Sequence, residues 1–163
     1  MAELRALTVK PPYSHMIAKC GKSVENRSWP TRYRGLLAIH AGVGWDSAAE
    51  RDLTALAAWR DWSASLPHPN ITGPLRKNAI HIDLGAVVAV AELSGCHYAI
   101  QGDGCSFADS LCSPWAQLHA WHWELSGVRP LAEPVPCKGK LGLWRLPEDV
   151  EKAVRTQLEG SDD

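Results

Sequence analysis

The run GAVVAVAEL, Gly85 to Leu93, constrains this chain most. It is rich in Val and Ala and is bounded by Gly85 on one side and by Ser94-Gly95 on the other, the pattern of a strand. A strand needs neighbours for its backbone N–H and C=O groups, and the sequence offers several. RALTV (Arg5 to Val9) is a short apolar run closed by Pro11 and Pro12. RGLLAIHA reads as a buried strand that ends at His40-Ala41. HAWHWEL alternates, with Trp121 and Trp123 on one side and His122 and Glu124 on the other, as a half-buried strand does. LGLWRLP reads as a last strand.

Helices fit between and around these runs. Tyr13, Met16, Ile17 and Cys20 share one helical face, and Gly21 is placed to close that helix. A second helix is expected from about Trp45-Asp46-Ser47 to Trp62, with Ser47 and Glu50 at capping-box spacing and Leu53, Leu56 and Ala57 facing the core. A short acidic helix, Glu148 to Glu159, follows the last strand. Ser63 to Lys77 and Gly95 to Pro114 read as loops, and PLAEPVPCKGK as a Pro-rich crossing. The expectation is an α+β chain, a small β-barrel with flanking helices. At 163 residues and 45% hydrophobic, the length suits one domain with a sizeable core, about residues 5–147.

Composition excludes some functions. No apolar run is long enough for a membrane-spanning helix, and MAELRALTVK lacks a signal-peptide layout, so a cytoplasmic protein with no membrane partner is expected. A net charge of -1 argues against coating nucleic acid through bulk charge. A local basic patch remains open. No phosphate-binding loop or dinucleotide fingerprint is present, and no cofactor is expected. The oligomeric state is not encoded in any motif.

The chemistry concentrates in GKSVENRSWPTRYRG. Lys22, Glu25 and Arg27 fall within six residues, and Trp29, Arg32, Tyr33 and Arg34 follow. On a strand, Glu25, Arg27 and Trp29 share a face, with Lys22 at its rim. A carboxylate, a guanidinium and a planar ring together can read a nucleobase by its edge and its face. Arg32 and Arg34, with Tyr33 between them, could supply phosphate contacts, as could Lys138 and Lys140 in CKGK. His40, at a strand end, is a further rim candidate. Eight tryptophans against one phenylalanine are read mainly as core residues, with one or two free to stack.

These segments, in this order, resemble an ASCH domain of the PUA-like superfamily. RALTVKPPYSHMIAKCGKSVENRSW resembles the family's opening strand, helix and G-x-K-x-x-E-x-R signature. LLAIHAG, GAVVAVAEL and PVPCKGKLGLWRLP resemble later segments, so the likeness spans roughly Ala6 to Pro147. Cys20 stands where the family has its glycine, and Gly21 follows it. The resemblance implies a PUA-like barrel with a cleft lined by the signature, and binding of RNA or a modified nucleotide, with DNA possible. In one small branch it implies an amidohydrolase acting on acetylated cytidine. There the signature lysine works with a threonine, whose place Glu25 takes here, and with a glutamate from elsewhere. Lys22 and Glu25 would be the catalytic pair in such an enzyme, with Glu92 or Glu124 as outside glutamates. A regulatory adaptor is the third expectation.

The rival clue is Cys96, His97, Cys105, Cys112, His119 and His122. Four of them could hold zinc. The spacings match no common zinc module, however, and the five cysteines suit a reduced chain. The expectation is therefore no metal.

Overall fold

The computed structural model describes residues 1–68, 72–79, 81–99, 105 and 111–161. The expected loops over Ser63 to Lys77 and Gly95 to Pro114 lie partly outside these. Six strands form one sheet: β1 (Leu4–Val9), β2 (Val24–Arg27), β3 (Gly35–Ala41), β4 (Ala86–Tyr98), β5 (Trp121–Pro136) and β6 (Leu143–Trp144). Their spatial order is β2-β5-β4-β3-β1-β6, curled into a half-barrel. Helices α1 (Tyr13–Lys19), α2 (Leu53–Ala64) and α3 (Glu148–Gly160) flank it. The architecture is α+β, and among the described residues no helix is long and apolar enough to cross a membrane.

Period-2 alternation sorts the side chains into two layers. Leu7 and Val9 of β1 and Leu37, Ile39 and Ala41 of β3 join Val88, Ala91, Leu93 and Trp123 in one core, against which Ile17 and Ala18 of α1 pack. Leu4, Ala6, Ala38, Val87 and Val90 face the other way and meet Trp144, Leu146 and the buried stripe of α3, Val150, Val154 and Leu158. That i, i+4, i+8 spacing is one helical face. Acidic Glu148, Asp149 and Glu151 sit in the first turn of α3, where the helix dipole favours them. Met16, Ala55 and Trp59 form a third cluster between α1 and α2. Trp123 is fully buried, and truncating it to alanine would cost about 3–5 kcal/mol.

Several local expectations give way. The second helix divides into a 3-10 turn at Ser47–Arg51 and α2, because two aspartates each cap a start. The Asp46 side chain accepts from Ala48 N–H, and that of Asp52 from Thr54 and Ala55 N–H. Leu53 is therefore exposed, and Ala55 and Trp59 are the buried positions. Strand β4 runs on through Gly95, Cys96 and His97, which sequence alone assigns to a loop. Strand β5 continues through the Pro-rich crossing. Only its first residues, Trp121–Glu124, pair with β2, and Leu125 N–H then donates to the Ser23 carbonyl. Farther on, no strand pairs with that edge among the described residues, and Gln157 of α3 bonds the Glu133 backbone instead, so prolines can be tolerated there. Register shifts opposite β4 at Val87/Ala89, Val90/Glu92 and Leu93/Gly95 bend the pair.

Candidate functional site

A cavity of about 580 Å³ opens at the C-terminal ends of β1 and β3. Thr8, Val9, Lys10 and Tyr13 form one wall, and Glu25, Asn26 and Arg27 of β2 another. His40 and Gly42 lie at its back, and Cys137–Gly142, between β5 and β6, closes the far side. The volume is in the range of small-ligand sites.

Lys22 enters this region through a left-handed turn. Gly21 has φ +74°, a conformation that strains residues with a Cβ, and Lys22 N–H then donates to the Met16 carbonyl. The side chain is thereby turned inward and is only 2% exposed. Its ammonium donates to the Val24 carbonyl and, at 2.8 Å, to Glu25 Oε2, and it lies 5.5 Å from the centre of the Tyr13 ring. The expectation of a rim lysine is thus corrected: Lys22 is buried and does not line the cavity.

Glu25 and Arg27 do line it, as their shared strand face predicts. Glu25 Oε1 lies 3.3 Å from Arg27 Nε, and Arg27 Nη2 donates to the Thr8 carbonyl at 2.7 Å. Arg27 Nε is buried and has no hydrogen-bond partner. Glu25 thus stands between two cations, and Arg27 Nε meets its carboxylate as an ion pair without an aligned hydrogen bond. Nearby, the Tyr13 hydroxyl donates to Asp52 Oδ2 at 2.8 Å. Burial, and then the Asp52 carboxylate, push the Tyr13 pKa above its ordinary value.

His40 is 1% exposed, yet its ring reaches the cavity wall. Its Nε2 donates to the Cys137 carbonyl at 2.8 Å, and its Nδ1 lies 3.3 Å from Thr8 Oγ1. That hydroxyl also donates to the Lys140 carbonyl. These bonds dock the CKGK segment onto the ends of β1 and β3. Gly139 permits the approach: a Cβ there would meet His40 Cε1 at 2.7 Å and Thr8 Oγ1 at 2.8 Å. Lys138 and Lys140, with Lys10 opposite, are exposed on the cavity rim and belong to no ion pair among the described residues. Burial, and to a lesser degree Asp149, raise the Cys137 thiol pKa.

The remaining candidates stand elsewhere. Trp29 packs edge-on against Trp123, with centroids 4.6 Å apart and planes at 85°, and so belongs to the core margin rather than to the cavity. Arg32 and Arg34 line a separate depression with Pro30, Thr31, Cys96 and Trp121. Arg34 donates to the carbonyls of Thr31 and Tyr33. The Tyr33 hydroxyl is held by the Leu36 and Glu3 carbonyls. Glu92 and Glu124 do not line the cavity. Sequence reasoning missed Thr8, Lys10, Tyr13 and Asn26 as wall residues. Lys10, the one basic residue between β1 and the two prolines, is the signal that was there to use.

A second cluster lies away from the cavity. His97, Cys105, Cys112 and His122 each offer one ligand atom, all within 4.8 Å of one another. Cys96 and His119, grouped with them by sequence, are not members. No family model matches the chain, and no curated protein matches its sequence.

Proposed function

We propose that this chain binds RNA, or a nucleotide carrying a modified base, in the cavity between β1, β2 and the CKGK segment. One observation carries the reading: a carboxylate, Glu25, and a guanidinium, Arg27, line one wall side by side in a cavity whose rim holds three exposed lysines. A base edge that pairs an amine with a ring nitrogen or carbonyl matches the first pair. Phosphates match the lysines. The resemblance to ASCH domains supports the same cavity, since two of the three signature side chains line it, and the half-barrel with flanking helices agrees with a PUA-like fold.

Hydrolysis fits the geometry less well. The ammonium of Lys22 is already committed to Val24 and Glu25 beneath the wall, so it is a poor candidate for reaching a substrate amide. The deciding experiment is fluorescence anisotropy with labelled single-stranded RNA and DNA, competed by nucleoside monophosphates, run beside a turnover assay on acetylated cytidine. Binding that Arg27→Ala weakens by about tenfold or more in a folded protein is the expected result. Multiple turnover would replace this reading with a nucleoside amidohydrolase. No binding to any of these at low salt would leave the adaptor.

A further inference from the structure

We propose that His97 Nε2, Cys105 Sγ, Cys112 Sγ and His122 Nδ1 bind one tetrahedral divalent metal ion, zinc. The sheet itself supplies half of the site. His97 on β4 and His122 on β5 are direct cross-strand partners, so register fixes their two rings side by side. The Nδ1 of His122 lies 3.2 Å from Cys105 Sγ, 3.3 Å from Cys112 Sγ and 3.3 Å from His97 Nε2. Ligand atoms on a tetrahedral zinc, with bonds of about 2.0–2.3 Å, stand about 3.3–3.8 Å apart. The cluster is already near that size.

Proton placement argues that something electron-poor belongs at the centre. His122 Nε2 lies 2.6 Å from the Gln117 carbonyl, which can only accept, so Nε2 carries the proton and Nδ1 presents a lone pair. His97 Nδ1 lies 3.4 Å from Glu124 Oε2, which holds the ring proton on that side and leaves Nε2 with a lone pair. In neutral rings, two nitrogen lone pairs then face each other at 3.3 Å with no hydrogen between them. A shared cation resolves this. The outward bonds are those that orient metal-bound imidazoles, one to a carbonyl and one to a carboxylate. Cys105 Sγ also accepts from Cys112 N–H at 3.3 Å, a bond that suits a thiolate.

Gly95 belongs to the same arrangement. A Cβ there would stand 1.8 Å from Glu124 Oε2, so glycine leaves the space through which Glu124 lies toward His97. His122 and Cys105 are buried at 0% and 4% exposure. Two thiolates and two imidazoles in a closed, tetrahedral set select zinc and leave no open position for substrate, so the site is structural. Binding releases the two thiol protons to solvent, and the two thiolates balance the charge of the ion. The ion would hold the segment around Ser113–Gln117 against β2, where Asn26 Nδ2 donates to the Trp115 carbonyl and Asn26 Oδ1 accepts from Gln117 N–H.

The test is native mass spectrometry and elemental analysis of reduced full-length protein, isolated without chelator and also reconstituted with zinc, together with cobalt(II) substitution. One zinc per chain is expected, with intense tetrahedral cobalt bands and thiolate charge transfer. Cys105→Ser and His122→Ala should lose stoichiometric metal, whereas Cys96→Ser and His119→Ala should keep it. If the ligand variants fail to fold, the cobalt spectrum of the wild type decides. Absence of metal after reconstitution, a weak octahedral cobalt spectrum, or full zinc content in the Cys105→Ser/Cys112→Ser double variant would each overturn the site. So would a Cys105–Cys112 disulfide in metal-free protein as isolated.

Discussion

Lys22 and Glu25 form an ion pair of 2.8 Å beneath the cavity wall, with the lysine side chain 2% exposed. Removing Glu25 strands the buried Lys22 ammonium, and removing Lys22 leaves the buried Glu25 carboxylate with Arg27 as its remaining cation. Lys22→Met is expected to cost about 3 kcal/mol or more in urea denaturation, the usual scale for breaking a buried pair from one side. The double variant Lys22→Met/Glu25→Leu should recover a large part of that loss. A Lys22→Met protein within about 0.5 kcal/mol of wild type would show that the pair does not hold the wall.

Arg27 and Trp29 should separate binding from packing. Arg27→Ala removes a cavity donor and is expected to weaken oligonucleotide binding by about 1–3 kcal/mol, roughly tenfold to a hundredfold. Trp29→Ala removes the edge-on contact with Trp123 and should lower the melting temperature with little change in affinity. The reverse pattern would move the base site from the cavity to the tryptophan.

Salt dependence tests the rim. Three lysines, Lys10, Lys138 and Lys140, are placed to meet phosphates. For single-stranded RNA, log affinity against log salt should fall with a slope of about -2, from roughly 0.7 per contact. Lys138→Ala/Lys140→Ala should flatten that slope to below about -1 in magnitude. An unchanged slope in the double variant would exclude the CKGK segment from the phosphate path.

His15 gives the fold a pH dependence. Its ring meets Trp62 edge-on at 4.4 Å and Trp59 at 5.5 Å, and its Nε2 is buried with no hydrogen-bond partner. Burial, reinforced by the nearby Lys19 and His81, lowers its pKa from 6.5 to about 4. Between those values the unfolded chain binds more protons than the folded one, so stability falls as pH drops through this window. The loss is at most about 3 kcal/mol, complete near the lower value. His15→Phe should flatten the profile from pH 6.5 to 4 while leaving the remaining acid dependence in place. Parallel profiles for variant and wild type would show that His15 is not the group responsible.

How much of this could be read from the residues depends on whether the information was local. The strands β1, β3 and β4 are apolar runs between glycines and prolines, so their existence shows without tertiary knowledge. The pairing of Glu25 with Arg27 on one strand face follows from a period of two. The burial of Lys22 does not, because a single left-handed glycine turns it inward. Trp29 lies beyond the end of β2, and there strand period no longer predicts where a side chain points. The Cys and His residues stand out in the sequence, but which four of the six meet was hidden for a different reason. The cluster's two histidines are 25 residues apart and meet only because β4 continues past Gly95 and pairs with β5 in one particular register. Spacing along the chain carries no trace of that register.

The cavity is walled by two stretches from opposite ends of the chain, Thr8–Tyr13 and Cys137–Gly142, and the pairing of Ala6 with Trp144 ties those ends together. Contacts so distant in sequence form late. While the polypeptide is still being made, β2 and the first strand can leave the ribosome long before the CKGK segment is translated, and until then the Glu25–Arg27 wall faces open water. The cavity is therefore incomplete until the last part of the chain has been made, and it closes as one of the late events of folding.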